Sequence, residues 1–469
     1  MTTGTLLIRH VELLSPDGSL RTADVRISSH IDAIGQLEPS PGERTIEGAG
    51  ALLIPGLNDH HVHLASYAAS LTSCQCGPPA VNDETELAAA MAAVRGDGWL
   101  RGTGFHESVL PGLDRAWLDA NGPDRPVRIQ HRTGRLWIVN SRGLELIREK
   151  AGALPFHEKQ RLENPDGRLY DIDELIGVVT REGMLPIDLA SRRLAAFGIT
   201  GINDMTPSND VETWQWFSSL QACGDLLQKV RLSGRPAISD CHDTDRLFVG
   251  ETKVHLHESA LPDFRDLVNV ITKSHRRSRN IAIHCVTEVE LVFALSALRT
   301  AGTRQGDRIE HASVVPPALK AQLTELGLGV VTQPNFVRER GDAYLAEIPE
   351  GEHDYLYRCR SLIDAEIPLG FGTDMPFGHP DPWAAMGAAT LRQTLSGQQL
   401  GKDECVSPGT ALNCCLGSLD QPFKPRTISV GESADLCLLD APWSEVQADI
   451  RSTQVTMTTI DGEVIYERD

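Results

Sequence analysis

The stretch Pro55–Leu64, PGLNDHHVHL, is the first place in the chain where residue type and spacing could do chemistry. In an extended strand successive side chains alternate, so Asp59, His61 and His63 share one side while His60 and Val62 point away. Two imidazoles converging from one strand end can hold a divalent metal ion, with Asp59 as a supporting partner. A His-x-His pair alone is a short motif with a high false-positive rate. Its weight comes from where other ligand-type residues fall. His284 closes NIAIH, His311 closes DRIEH and Asp374 closes PLGFGTD, each at the C-terminal tip of an expected strand. A lone histidine there would be an ordinary core residue, but ligand-type residues at four strand ends point to one metal site. Lys253, in GETKVHLHES, lies in a strand-like run expected to face an interior, where a bare ammonium is costly to desolvate. Carboxylation by carbon dioxide would make it an anionic carbamate able to bridge two metal ions. Two divalent ions set against the carbamate, the Asp374 carboxylate and a bridging hydroxide leave a net positive charge to polarise a substrate carbonyl. The plain alternative is a lysine paired with Glu251 or Asp374. His255 and His257 share the Lys253 face and stay open between substrate contact, ligand and support behind the ligands.

These residues need a scaffold that brings strand ends together. Eight apolar, β-rich runs provide one: LLIPGLNDHHVH, ITGIND, QKVRLS, TKVHL, NIAIH, DRIEH, LGVVTQP and PLGFGTD. From the second run on they recur every roughly 20 to 40 residues with helical patterns between, the period of strand plus crossover helix in a parallel sheet. Eight such units close a barrel whose active site lies at the C-terminal strand ends. The expected fold is therefore α/β, a (β/α)8 TIM barrel. Thr287-x-x-Glu290 has capping-box form and should start a helix just after His284. Strand-like runs at both termini, with an Asp461-Gly462 hairpin signal and a turn at Pro16-Asp17-Gly18, predict one small β-sandwich domain made from both chain ends. The expected division is 1–55 with 427–469 for that domain and 56–426 for the barrel, interrupted after its first strand by an insertion at about 65–185. So long a gap should be structured. It holds strand-like WLRGTGFHE and RPVRIQHRT, and helical spacing from Trp137 to Ile147.

The chain has 469 residues and a formal charge of −20. An acidic surface repels phosphate backbones, which excludes nucleic acid as a first partner. The apolar runs are too short to span a bilayer, which needs roughly 20 residues, so no membrane partner is expected. The first fourteen residues lack the basic flank, apolar stretch and cleavage site of a secretion signal, giving a cytoplasmic expectation. The pairs Cys74/Cys76 and Cys414/Cys415 have no second pair at zinc-finger spacing and are expected to be reduced.

Taken in order, His61, His63, Lys253, His284, His311 and Asp374 resemble the full ligand set of the amidohydrolase superfamily, binuclear subtype. The resemblance covers nearly the whole chain, including the split β domain. Within it, the long insertion, GWLRGTGFHE, RPVRIQHRTG followed by VNS, and FGITGINDM resemble the branch containing N-substituted formamide deformylases. The size and the KVHLHES segment are similar to molinate hydrolase and the phenylurea hydrolases. Two departures bear on the pocket. Arg135 stands where the deformylase pattern has a histidine, five residues before the VNS asparagine, and no DGS segment follows Lys253.

The resemblance implies two divalent ions, zinc first with manganese or cobalt as alternatives, and N-carboxylation of Lys253. A metal-bridged hydroxide would attack the carbonyl of a neutral N-substituted amide, phenylurea or thiocarbamate. Asp374 would be both ligand and proton shuttle. Candidate substrate contacts are His255, Gln333, Asn335, His379 and Arg135, with Arg132 beside it, and Trp99, Phe105, Trp137, Phe336, Phe377 and Trp383 are candidates for an apolar wall. The expected partner is a small molecule, and the family suggests a homo-oligomer. Two rival readings stand beside this one. A mononuclear heterocycle deaminase would carry glutamate three residues after its histidine and lack the lysine, whereas His284 is followed by Glu288 at four. A non-catalytic scaffold on the same barrel should have lost ligands, and all six positions are kept.

Overall fold

A computed structural model describes residues 5–15, 18–150 and 185–468, and between them residues 162, 166–170, 172 and 176. Pro16 and Asp17 of the expected turn, and most of 151–184 in the insertion, lie outside the described residues. The chain forms two compact units, one from Met1–Leu64 with Ile187–Asp469 and the other from Ala65–Pro186.

In the first unit eight strands pair in parallel: β1 (Leu57–Val62), β2 (Ile199–Asp204), β3 (Lys229–Gly234), β4 (Leu247–His255), β5 (Ile281–Cys285), β6 (Arg308–His311), β7 (Gly329–Thr332) and β8 (Leu369–Phe371). Each of the eight runs read from the sequence supplies one of them. Parallel strands covered on both faces read as continuous apolar runs rather than as alternation, and β1, β2, β6 and β7 are buried at every position. The cylinder closes where β8 meets β1. The Asp374 N–H donates to the His61 carbonyl at 2.8 Å, and the His63 N–H to the Met375 carbonyl at 3.0 Å. The Asp59 carboxylate reinforces the seam by accepting from the Thr373 N–H at 3.0 Å and the Thr373 hydroxyl at 2.5 Å. Helices follow the strands, among them Glu288–Ala301, which begins with the expected capping box between Thr287 and Glu290. The result is a (β/α)8 TIM barrel.

Both chain ends build the β-sandwich. Its sheet runs Glu463–Glu467, Val455–Ile460, Leu436–Leu439, Leu52–Pro55, Leu6–Leu14, Leu20–Ile27 and Ile31–Gly35. Leu6–Leu14 serves two neighbours: Leu6–Arg9 pair with Arg44–Glu47, and Glu12 and Leu13 with Leu52–Pro55. A bulge between Ile8 and Val11 turns the strand from one to the other. Leu6, Ile8, Val25, Ile27, Leu436 and Met457 fill the interior. In the terminal hairpin Asp461 and Gly462 both have positive φ, 50° and 74°, as a type I′ turn requires. Lys229 on β3 fixes this domain to the barrel, its Nζ lying 2.8 Å from Asp435 and 2.7 Å from Asp461.

The second unit carries a five-stranded sheet in the order Arg168–Tyr170, Leu136–Val139, Val127–His131, Leu100–Phe105 and Cys74–Gln75. The helical reading of Trp137–Ile147 needs correction. Leu136–Val139 is a strand, and the helix begins at Ser141. Leu136 and Ile138 enter one apolar cluster while Trp137 and Val139 enter another, so both faces are buried. Such a short apolar run carries no period to tell a strand from a helix.

Candidate metal centre

His61 and His63 leave the top of β1 on the same side. His61 Nε2, His63 Nε2 and Asp374 Oδ1 converge, with Oδ1 3.2 Å from His63 and 3.6 Å from His61. The His311 ring is centred 4.6 Å from His61 and 4.4 Å from His284, and the His255 ring 4.0 Å from His284. Lys253 on β4 is buried, and its Nζ has no hydrogen-bond partner. Asp374 Oδ1 is likewise buried without one. An orphaned ammonium and an orphaned carboxylate oxygen beside clustered imidazole nitrogens fit a group that completes them, and nitrogen and oxygen donors suit a divalent cation.

Backbone geometry aims two of these side chains. By alternation Arg308 and Glu310 of β6 face the barrel interior and His311 should face away. Instead, β6 ends with His311 at φ 68°, and β8 is followed by Asp374 at φ 57°, both in the left-handed region. Such conformations cost on the order of 1–3 kcal/mol each and cluster at functional sites.

The imidazoles are held through Nδ1. His61 Nδ1 lies 2.6 Å from Glu310 Oε2, His63 Nδ1 3.0 Å from Thr206 Oγ1, and His311 Nδ1 2.7 Å from Gln333 Oε1. With Nδ1 donating its proton, each Nε2 presents a lone pair, the arrangement typical of ligating histidines. Behind Glu310 runs a buried chain of charge. Arg308 Nε donates to Glu310 at 2.6 Å, Arg308 also faces Glu251 at 3.7 Å, and Arg231 reaches Glu251 at 3.1 Å. Burial pulls the imidazoles of His61, His284 and His311 below their usual value, which keeps them neutral. Burial would raise the Asp374 carboxyl, but His63, His61 and His311 hold it well below the usual range. Burial pulls the Lys253 amine down to about 8 against the attraction of Glu310.

The six residues read as ligands thus belong to one region at the C-terminal strand ends. The candidate substrate contacts divide. His255 is exposed beside His284 at the mouth. Gln333 is fully buried and buttresses His311. Asn335 is buried and donates to the Thr373 carbonyl at 3.1 Å, next to Asp374. His379 is exposed after β8, its backbone N–H donating to Glu339. Arg135 and Arg132 belong to the second unit, where both are half-buried. Of the aromatic candidates, Phe377 packs on His63 with ring centroids 5.5 Å apart, whereas Phe105, Trp137, Phe336 and Trp383 are buried core residues. The sequence reading did not single out Glu310, Thr206 or Arg308. Glu310 stands next to His311 in DRIEH, but its partner His61 is 249 residues away, and only barrel closure brings the two together.

Residues 44–466 match the amidohydrolase family. An N-substituted formamide deformylase of Arthrobacter pascens is 23% identical, over 92% of this chain and 91% of that protein. A metal-dependent hydrolase of Pyrococcus horikoshii has the same fold, with a TM-score of 0.72 and 21% identity over 93% of this chain and 97% of its own. So does an atrazine chlorohydrolase variant of Arthrobacter aurescens, determined with zinc and atraton, with a TM-score of 0.56 and 14% identity over 98% and 95% of the two chains. With the family matched over nearly its whole length, this chain belongs to the amidohydrolase family and is a metal-dependent hydrolase of amide-like C–N bonds.

Proposed function

We propose that the protein hydrolyses the carbonyl C–N bond, or the C–S bond, of a neutral N-substituted amide, phenylurea or thiocarbamate. His61, His63, His284, His311, Asp374 and an N-carboxylated Lys253 would hold two divalent ions, zinc by preference. Bound there, the ions would supply Lewis acidity, polarising the substrate carbonyl and making water more acidic near neutral pH. The observation that carries this reading is the pair of buried, unpartnered atoms, Lys253 Nζ and Asp374 Oδ1, among neutral imidazoles. The zinc of the chlorohydrolase relative and the amide named for the deformylase relative agree with it.

The chain's own residues have definable tasks. Asp374, ionised and next to His63, takes the proton of the attacking water and returns it to the departing nitrogen. A departing thiolate needs no such proton. Glu310, Thr206 and Gln333 fix the three imidazoles from behind through Nδ1. Phe377 supplies an apolar surface beside His63 that suits an uncharged N-substituent. Protein of known metal content, assayed on formamides, phenylureas, thiocarbamates and aminated heterocycles, tests the substrate class. Cleavage of one of the first three is expected, and ammonia release from heterocycles alone would overturn the reading. Asp374→Asn should lower kcat about 100- to 10,000-fold with the fold retained, the range for a lost general acid–base.

A further inference from the structure

Segments that follow three neighbouring strands at the C-terminal face of the barrel meet around a guanidinium that the chemistry above does not use. Arg340 stands on the helix Asn335–Glu347, which follows β7 after Gln333 and Pro334. Its Nη2 donates to the Phe377 carbonyl at 2.7 Å, in the segment after β8. The ring of that same Phe377 packs on His63, so one residue spans the gap from Arg340 to the ligand-type histidines. In the segment after β6 the Ser313 carbonyl accepts the Tyr357 N–H at 2.9 Å, and the Tyr357 hydroxyl lies 3.1 Å from that of Tyr344, on the Arg340 helix. Burial works against the Arg340 charge, and Tyr344, Tyr357, Asp374 and Glu339 more than offset it.

Arg340 lacks a carboxylate of its own. It forms no ion pair among the described residues, and adjacent Glu339 is engaged by the His379 N–H at 3.1 Å and the Asn335 amide at 3.2 Å. The Arg340 guanidinium carbon lies over the Phe336 ring, 3.9 Å from its centroid. Stacking occupies the face of the group and leaves its N–H edges. A guanidinium has five N–H donors set in two forks, so the single bond to Phe377 leaves one fork intact. Arginines with a purely structural task in this barrel look different. Arg392 donates to the carbonyls of Leu400, Tyr357 and Leu356, and Arg279 to those of Gly250, Arg235 and Glu251. Half-buried Arg340 keeps donors that no described residue accepts, beside the metal-ligand cluster.

We propose that Arg340 sets specificity by binding an oxygen acceptor, carbonyl or carboxylate, on the part of the substrate that is not cleaved. The inference rests on the proposed hydrolysis and deepens it. The Phe377 ring takes the apolar body of the N-substituent, and the guanidinium fork takes oxygen at its far end. Carboxylate accepts two parallel charge-assisted bonds from such a fork, so it is held more strongly than a ketone oxygen.

The test assays the zinc-loaded full chain on N-phenylformamides and phenylureas that carry isopropyl, acetyl or carboxylate at the para position. Arg340→Met keeps the apolar stem and removes the donors. Its kcat/KM should fall about 10- to 100-fold on the acetyl and carboxylate compounds, chiefly through KM, and stay within about twofold on the isopropyl ones. Arg340→Lys should restore part of the carboxylate activity and little of the acetyl activity, because it keeps the charge without the fork. Equal losses on all three substituents would make Arg340 structural, and no loss on any would remove it from recognition; either overturns the proposal. If Arg340→Met does not fold, Arg340→Lys decides by the same comparison. If none of these compounds is cleaved, the hydrolysis reading fails by itself, and calorimetric binding of the same compounds to unaltered and variant protein carries the same expectation.

Discussion

Lys253 is the residue on which the proposed chemistry is most exposed to test. At about 8 its amine is largely neutral only in mildly alkaline solution, and only the neutral form can attack carbon dioxide. In that step an Nζ–carbon bond forms, one Nζ proton leaves to solvent, and a carbamate anion results. Metal-free protein should therefore regain zinc and activity faster as pH rises through about 8, and faster with added bicarbonate at fixed pH. Reactivation rates indifferent to both would contradict carboxylation. The ligand-type residues were legible because each ends or lies in a strand that reads clearly, but their individual aim was not. His311 breaks strand alternation through a left-handed backbone, which nothing in DRIEH announces. Gln333 turned up behind His311, because sequence places a residue on a loop without saying which way it turns.

At the scale of elements, the weak place in the design is the seam between β1 and β8. A Cβ on Gly372 would stand 2.5 Å from the His61 Cβ and 2.7 Å from the His61 backbone nitrogen, so neither a rotamer change nor a small shift relieves it. Gly372→Ala should wedge the seam open, lowering stability by about 1–3 kcal/mol and weakening metal retention, readable as a lower Tm and lower zinc content. A fully metallated variant with unchanged Tm would contradict this account of closure. Element identity was well marked where local chemistry is strong: Asp461-Gly462 for the hairpin, Thr287 and Glu290 for a helix start, apolar runs for parallel strands. It failed where an element is short or lacks a period. Ile31–Gly35 and Arg44–Glu47 went unread because their contribution is edge pairing, and Leu136–Val139 because both its faces are covered.

For the whole molecule, a buried charge chain from Arg231 through Glu251, Arg308 and Glu310 to His61 couples the stability of the barrel to its mouth. Burial alone would raise the Glu251 carboxyl, but Arg231 and Arg308 hold it well below its ordinary 4.5. A carboxylate depressed in the folded state contributes stability above its unfolded value and loses it as pH falls below that value. Tm should therefore drop as pH falls below about 4.5, and Glu251→Gln should flatten that drop while costing about 3 kcal/mol near neutral pH, since half-buried Arg231 loses its carboxylate and buried Arg308 keeps only Glu310. An acid limb identical to that of the unaltered protein would remove Glu251 from the explanation. The central claim is more direct still: six side chains from five barrel strands would hold divalent ions. Anomalous diffraction from zinc-loaded crystals tests it in one measurement. The account predicts two neighbouring peaks within bonding distance of His61, His63, Lys253, His284, His311 and Asp374, with density for a carboxylated Lys253. Density for an unmodified amine and no peak at the barrel mouth would contradict it.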